Sequence, residues 1–439
     1  MLNRERNIIN LGQDTVFDPS LSSFIFNSKK YRNFSNYNDL INKIRSNFIN
    51  KRQQVFSKKR KITNLNLFPT YVCHGSCPYC YSRNNINKKF GYITIDSLKA
   101  SLKRITDLGM ILEPYSIRVY GGEPLLNDNL YDIIKYLKET YPGIEFVYIS
   151  SGLLFSKDIF DRVKYMLVEI NKLDTKFSVG VSVDFGTIPF TRTCSTSTIT
   201  QNVLLDRIDE LVNLGIPCVA ATVVTKNTNI DNCIDQLMSN HKKYESIISS
   251  EDIITGSSRK IAYRVSVACD DEYHPSLQQL DTLYNRMLHL YKNNNLVTSD
   301  IFPYTDVIAS ARVHRVNEDI YTLIYPPMHC GIYSYMIEVY PNGEIGSCHM
   351  EMFDRSVYID DNEYNKQMIL HPKKCYDCDF FMVCRGACIN RLKFSDESNE
   401  SYCTWIKYSY DLALERLYSI YKEDFKSYIE NNVDGEIMI

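Results

Sequence analysis

Two kinds of apolar spacing alternate along the chain. From Asn64 to about Ala268, short runs rich in Val, Ile and Phe recur between longer stretches in which apolar residues return every three or four positions. The short runs, bounded by polar turns, predict strands, and the longer period predicts amphipathic helices. The expected strands are Asn64–Phe68, Ser116–Tyr120, Ile144–Ser150, Phe177–Val183, Pro217–Val224 and Ile261–Ala268. The helices between them are Ile95–Gly109, Asn129–Tyr141, Lys157–Leu173, Thr200–Leu214 and Ile230–Tyr244. Such alternation predicts right-handed βαβ units on a parallel sheet. The fold class is therefore α/β, a partial (β/α)6 open barrel. A closed eight-unit barrel needs two more strands, which the pattern does not supply.

Outside this stretch the pattern predicts a hairpin around Phe17–Phe26 and a helix from Tyr37 to about Phe56. It also predicts a helix from Ser276 to about Asn294 and a last helix over Lys407–Lys422. Between Tyr325 and Trp405 periodicity fades and Cys, Gly and Asp accumulate, as when metal sites take the place of a hydrophobic core. The expected divisions are an N-terminal extension (1–62), the barrel with its linker helix (63–310), a small cysteine-rich domain (311–406) and a C-terminal helix and tail (407–439).

A formal net charge of −2 excludes a nucleic-acid protein held by bulk electrostatics. The basic run from Lys51 to Lys61 reads as a solvated helix face or linker. No apolar run is long enough to cross a bilayer, and Met1–Asn10 does not read as a secretory signal, so a cytoplasmic address with no membrane partner is expected. In such a reducing compartment the 14 cysteines point to metal or catalysis rather than disulfides. Cys194, Cys218, Cys233 and Cys269 are scattered and read as core residues or free thiols.

The other ten are grouped. Cys73, Cys77 and Cys80 follow the first barrel strand, and three thiolates at that spacing can hold one corner of a 4Fe–4S cluster. A zinc site is the alternative, with His74 the nearest candidate for its fourth ligand. Gly121-Gly122-Glu123-Pro124 ends the second strand, where ligands collect in parallel-sheet proteins. Its glycines let backbone approach a ligand, and Glu123 can accept hydrogen bonds from an ammonium group; an ordinary strand-to-helix turn is the plainer reading. Downstream stand Cys330, Cys348, Cys375, Cys378, Cys384, Cys388 and Cys403, enough for two sites of four and three ligands.

Together these motifs resemble the radical S-adenosylmethionine (SAM) superfamily. The resemblance implies that Cys73, Cys77 and Cys80 hold a 4Fe–4S cluster whose open iron chelates SAM, with Tyr79 near the adenine. It implies that Gly121, Gly122 and Glu123 contact the methionyl amine. Ser182-Val183-Asp184 resembles the family's Ser-x-Asp-Gly segment, with Phe185 in place of Gly; Ser182 would meet the ribose and Arg192 the carboxylate. Ser151 stands in place of Asn in a turn that resembles the family's Thr-Asn-Gly. The implied chemistry is one-electron cleavage of SAM to a 5′-deoxyadenosyl radical that removes a substrate hydrogen.

The downstream spacing resembles SPASM, a C-terminal extension with two auxiliary 4Fe–4S clusters found in radical SAM enzymes that act on peptides. The resemblance assigns Cys375, Cys378, Cys384 and Cys403 to an outer cluster and Cys330, Cys348 and Cys388 to an inner one. It implies three clusters, a precursor peptide or protein as substrate, and a flavodoxin- or ferredoxin-type electron donor. The expected function is oxidative peptide modification, forming a carbon–carbon or thioether cross-link. A sulfatase maturase forming formylglycine is the rival; its base is an Asp directly after the second SPASM cysteine, where this chain has His349, itself a candidate base. A non-catalytic iron–sulfur carrier is the alternative of another class. Residues 1–62 are too short for the whole winged-helix module with which many peptide maturases hold a leader peptide, though Val16–Phe26 and the following helix resemble part of one.

Overall fold

The computed structural model describes residues 9–12, 15–26, 42, 46–47, 50, 60–80, 91–153, 155–187, 192, 199–244, 261–268, 271–294, 300–301, 312–317, 320–324, 335–346, 375, 377–386, 396–421 and 424–427. The strands are β1 (Ile9–Gly12), β2 (Thr15–Asp18), β3 (Ser23–Phe26), β4 (Lys61–Leu67), β5 (Ile111–Val119), β6 (Phe146–Ser151), β7 (Lys176–Ser182), β8 (Cys218–Val224), β9 (Ile261–Val267), β10 (Asp300–Ile301), β11 (Arg312–Asn317), β12 (Ile320–Ile324), β13 (Met336–Val339) and β14 (Ile345–Gly346). The helices are α1 (Ile95–Asp107), α2 (Leu130–Thr140), α3 (Lys157–Asn171), α4 (Gln201–Asn213), α5 (Ile230–Tyr244), α6 (Leu277–Asn294), α7 (Phe381–Cys384) and α8 (Asp396–Tyr421).

The main sheet runs β10-β9-β8-β7-β6-β5-β4-β13-β14. Its six predicted strands are parallel neighbours in the expected order. β10 and β13 extend them in parallel at the two edges, and β14 closes the row antiparallel to β13. These edge strands are the additions that the sequence pattern lacked. They do not close the barrel, because the order is linear.

Alternation along each strand sorts the two faces. Leu65, Leu67, Ile117, Val119, Val147, Ile149, Val179 and Val181 point outward into one core shared with the helices. The interleaved positions Asn64, Asn66, Ser116, Arg118, Tyr148, Ser178 and Arg264 line the other, concave face, so that face is polar. Each outward side chain fully buried in this way stabilises the fold by roughly 1.5–3 kcal/mol. Among the scattered cysteines, Cys218 and Cys233 are buried in this core, as expected; Cys194 and Cys269 lie outside the described residues.

The second sheet, β1-β2-β3-β12-β11, is antiparallel throughout. It contains the hairpin expected around Phe17–Phe26, whose turn is fixed by the Asp18 side chain accepting from the Ser20 N–H at 2.9 Å. Pairing of β3 with β12 joins the start of the chain to residues 320–324. The helix expected from Tyr37 falls almost wholly outside the described residues. The last helix begins at Asp396 rather than Lys407 and so crosses the expected division at 406. Asp396 and Glu397 in its first turn suit the positive end of the helix dipole. A second core forms where Leu11, Phe17, Phe24 and Phe26 meet Phe380, Val383, Ile406, Tyr410 and Leu414. The cysteine-rich segment therefore does have a hydrophobic core, supplied largely from the two ends of the chain.

α8 lies against α6, where the Tyr284 and Tyr408 rings pack 4.6 Å apart. Asp411 on this helix has a buried carboxylate oxygen with no hydrogen-bond partner among the described residues. Burial and then Glu415 push its pKa from 3.8 to about 7, with Lys407 opposing. The folded state thus holds this proton more tightly than the unfolded chain. Its contribution is full below about pH 4 and lost as pH rises through 7. Asp411→Asn is expected to stabilise the protein at pH 8 by roughly 1–3 kcal/mol while changing little at pH 4. Denaturant unfolding of both forms at the two pH values measures this, and an equal effect at both would refute it.

Among the described residues no helix is long and apolar enough to cross a membrane.

Candidate active site at the C-terminal ends of the barrel strands

β4 leads directly into the cysteine loop. Where it ends, the Tyr120 N–H donates to Leu67 O at 2.9 Å, Gly122 N–H to Thr70 O at 3.0 Å and Glu123 N–H to Val72 O at 2.8 Å. The loop after β5 is thereby laced to the segment that enters Cys73. A Cβ on Gly121 would stand 2.5 Å from Thr70 O, and one on Gly122 would stand 2.4 Å from Tyr71 O. Both clashes are with backbone, which cannot step aside. The two glycines therefore serve close approach to the cysteine loop itself, a reason that the sequence reading, which gave them to a ligand, did not contain.

Glu123 is 2% exposed. Its carboxylate accepts from Ser151 Oγ at 2.8 Å, Gly152 N–H at 2.9 Å and Leu125 N–H at 3.3 Å. Burial raises its pKa to about 7, and these donors, Ser151 first, pull it back. Ser151 and Glu123, inferred separately from sequence, are thus bonded to each other across β5 and β6.

Cys73 and Cys80 are half-buried and Cys77 is buried. Cys73 Sγ accepts from the Gly75 N–H at 3.2 Å, and the Cys80 N–H closes a turn onto Cys77 O at 3.1 Å. Burial pushes the Cys73 thiol up to about 12; the nearby charges of Glu123, Cys77 and Cys80 add to this, against the Gly75 hydrogen bond. Cys77 is pushed up to about 11 by burial, with Arg192 opposing. Among the described residues no group of three or more His, Cys, Asp or Glu is gathered as around a single metal ion. The three soft sulfur donors, each free to bind a separate iron, fit an iron–sulfur cluster.

The residue that organises the far side of the loop is Asp184, which ends the Ser182-Val183-Asp184 segment. It is fully buried and sits in the left-handed region, at φ +53°. Its carboxylate takes the Tyr79 hydroxyl, the Val223 N–H at 3.0 Å, Arg192 Nε at 2.7 Å and a second Arg192 nitrogen at 3.1 Å. The Arg192 guanidinium also lies 5.4 Å from the Tyr79 ring centre and 4.0 Å from Cys77 Sγ. The motif resemblance includes Asp184 in its segment but gives roles only to Ser182, Tyr79 and Arg192. Two residues upstream, Ser182 is half-buried, beside Ala221 in register.

In the C-terminal part, Cys375 and Cys378 pack against Phe381 and Met382, and Cys378 and Cys384 pack against the second core. Burial pushes the Cys384 thiol up to about 12, and the charges of Cys403, Cys378 and Cys375 add to this, opposed by Arg385. The Cys378 N–H donates to Cys375 O at 3.1 Å, α7 carries Cys384 and α8 carries Cys403. Cys330, Cys348, His349 and Cys388 lie outside the described residues.

Residues 67–237 match the model of the Radical SAM superfamily. The chain carries a radical SAM domain and is an enzyme. It is 29% identical over 178 residues to GTP 3′,8-cyclase of Staphylococcus carnosus (strain TM300), covering 40% of this chain and 49% of that protein. The enzyme of the same name from Campylobacter jejuni subsp. doylei is 28% identical over 188 residues, with coverage of 40% and 52%. The chain thus spans about half the length of the curated relatives it matches. Among solved structures, Streptococcus suis SuiB bound to precursor peptide SuiA superposes with a TM-score of 0.53 at 13% identity, over 84% of each chain. anSMEcpe with bound AdoMet and the Cp18Cys peptide gives 0.54 at 16% identity, over 84% of this chain and 99% of that one. At such identities the likeness concerns the fold.

Proposed function

We propose that the chain is a radical SAM peptide maturase that installs an oxidative cross-link in a ribosomally made peptide. In this reading Cys73, Cys77 and Cys80 hold the SAM-binding 4Fe–4S cluster. Cys375, Cys378, Cys384 and Cys403 hold an auxiliary cluster, and Cys330, Cys348 and Cys388 a third. When bound, the first cluster and SAM supply a one-electron cleavage that ends in 5′-deoxyadenosine and an oxidised substrate. Glu123, fixed by Ser151 and two backbone N–H groups, presents a carboxylate beside the cysteine loop for the ammonium group of SAM. Asp184 holds Arg192 against Tyr79 and Cys77, which keeps a cation at the other side of the same loop. A flavodoxin- or ferredoxin-type donor supplies the first electron. An auxiliary cluster held by Cys375, Cys378, Cys384 and Cys403 would offer a place for the second.

The observation that supports the peptide reading is that Cys375, Cys378 and Cys384 pack around Phe380–Val383 while the charges of Cys403, Cys378 and Cys375 act on the buried Cys384 thiol, all outside residues 67–237. The fold likeness to two peptide-bound proteins over 84% of this chain favours it further. The names of the sequence relatives favour a second reading, GTP cyclisation, over the shared 40%. The test supplies the anaerobically reconstituted protein with SAM, dithionite and either GTP or the short peptides encoded beside its gene. A peptide lighter by two hydrogens, formed with 5′-deoxyadenosine, is expected. Conversion of GTP with no change in any peptide would replace this reading with the second.

A further inference from the structure

The concave face of the barrel carries a row of side chains that follows from the strand register. Glu338 neighbours Asn66, Asn66 neighbours Arg118, Arg118 neighbours Tyr148 and Tyr148 neighbours Ser178. Ile117 and Val119, on either side of Arg118, are both in the outer core, so Arg118 points to the concave side. It lies on β5 three residues before Gly121, about 10 Å below the loop that supports the cysteines.

Two members of the row are already engaged with each other. Glu338 is fully buried and accepts from Asn66 Nδ2 at 3.0 Å. Arg118 is exposed and has no hydrogen bond or ion pair among the described residues. Its neighbour Tyr148 reaches across the floor. A Cβ on Gly180 would stand 1.9 Å from the Tyr148 hydroxyl, so the phenol lies over the bare backbone of β7. On the concave face of the described strands Arg118 is thus an exposed cation, two strands away from the buried carboxylate of Glu338.

We infer that Arg118 is the substrate-recognising residue of this cavity and that it takes an oxyanion, the carboxylate of an acidic side chain in the peptide. A guanidinium offers paired N–H donors that match a carboxylate or phosphate fork. Placed below the cysteine loop, it would fix how far a substrate enters and so which carbon faces the reactive end. The inference rests on the proposed peptide reading for its choice of carboxylate over phosphate.

The test measures binding to the reconstituted, SAM-loaded protein with three probes: an acetylated pentapeptide with a central glutamate, the same peptide with glutamine, and GTP. The glutamate peptide is expected to bind about tenfold or more tightly than the glutamine peptide. Arg118→Gln should erase that preference, and Arg118→Lys, which keeps the charge without the fork, should retain part of it. Iron content and the unfolding midpoint of each variant, read in parallel, separate a binding defect from a folding one. GTP binding that depends on Arg118, with no preference between peptides, would uphold the anion site and overturn the peptide reading. Equal binding of both peptides with no Arg118-dependent GTP binding, or a preference that survives Arg118→Gln, would overturn the inference. Formation of 5′-deoxyadenosine by the wild type is independent of all three outcomes.

Discussion

Replacing Cys73, Cys77 and Cys80 together by alanine is expected to remove about four irons per chain and to abolish formation of 5′-deoxyadenosine. The three thiols share one loop, tied to the barrel by the Gly122 and Glu123 backbone bonds rather than by the sulfurs. The loop should therefore keep its place when the sulfurs are gone. The second cysteine group should keep its irons, since Cys378 and Cys384 pack against a separate core built from Phe380, Val383 and Ile406. If all three groups are filled, total iron falls from about twelve to about eight. Iron analysis with chromatography of the SAM products reads both effects. A triple variant that still yields 5′-deoxyadenosine would place the active cluster elsewhere.

The second large effect is expected at Asp184. Its carboxylate is buried with the Arg192 side chain, which is 11% exposed, and it also takes the Tyr79 hydroxyl and the Val223 N–H. Removing one partner of a buried ion pair leaves the other charge uncompensated, so Asp184→Ala should cost about 3–5 kcal/mol. Asp184→Asn keeps the shape and some of the hydrogen bonds and should cost less. The left-handed φ of this residue tolerates asparagine, so backbone strain does not separate the two variants in the opposite direction. Denaturant unfolding of the wild type and both variants measures the difference. A loss below about 1 kcal/mol for Asp184→Ala would mean that water replaces the carboxylate and that the pair behaves as a surface one.

Much of the barrel was legible in the sequence because each of its six predicted strands is long enough for its apolar pattern to be counted. β10 and β13 were not, being two and four residues long in segments with no repeating period. The pairing of β3 with β12 joins residues almost three hundred positions apart, and no local pattern encodes it. The start of α8 was placed too late because its first turns, from Asp396 to Cys403, carry few apolar residues.

At the site, motif spacing was enough to select Glu123, Ser151, Tyr79 and Arg192, yet it could not say what they touch. The Ser151–Glu123 bond depends on β5 and β6 lying side by side. Asp184 stands in a recognisable segment without a role there, because its importance comes from three partners on three different segments, Tyr79, Arg192 and Val223. The Ser182-Val183-Asp184 segment at a strand end, with Arg192 eight residues after the acid, is the signal that was available. Arg118 carries no motif at all; only strand alternation and sheet register place it on the concave face.

In the proposed function this chain uses its cysteine loop to cleave SAM reductively. The most direct test is anaerobic reconstitution of the full chain with iron and sulfide, followed by SAM and dithionite, with 5′-deoxyadenosine measured against time. The expected result is 5′-deoxyadenosine that depends on reductant and is lost with Cys73, Cys77 and Cys80. A protein that fills its clusters, binds SAM and yields no 5′-deoxyadenosine under reduction would contradict it.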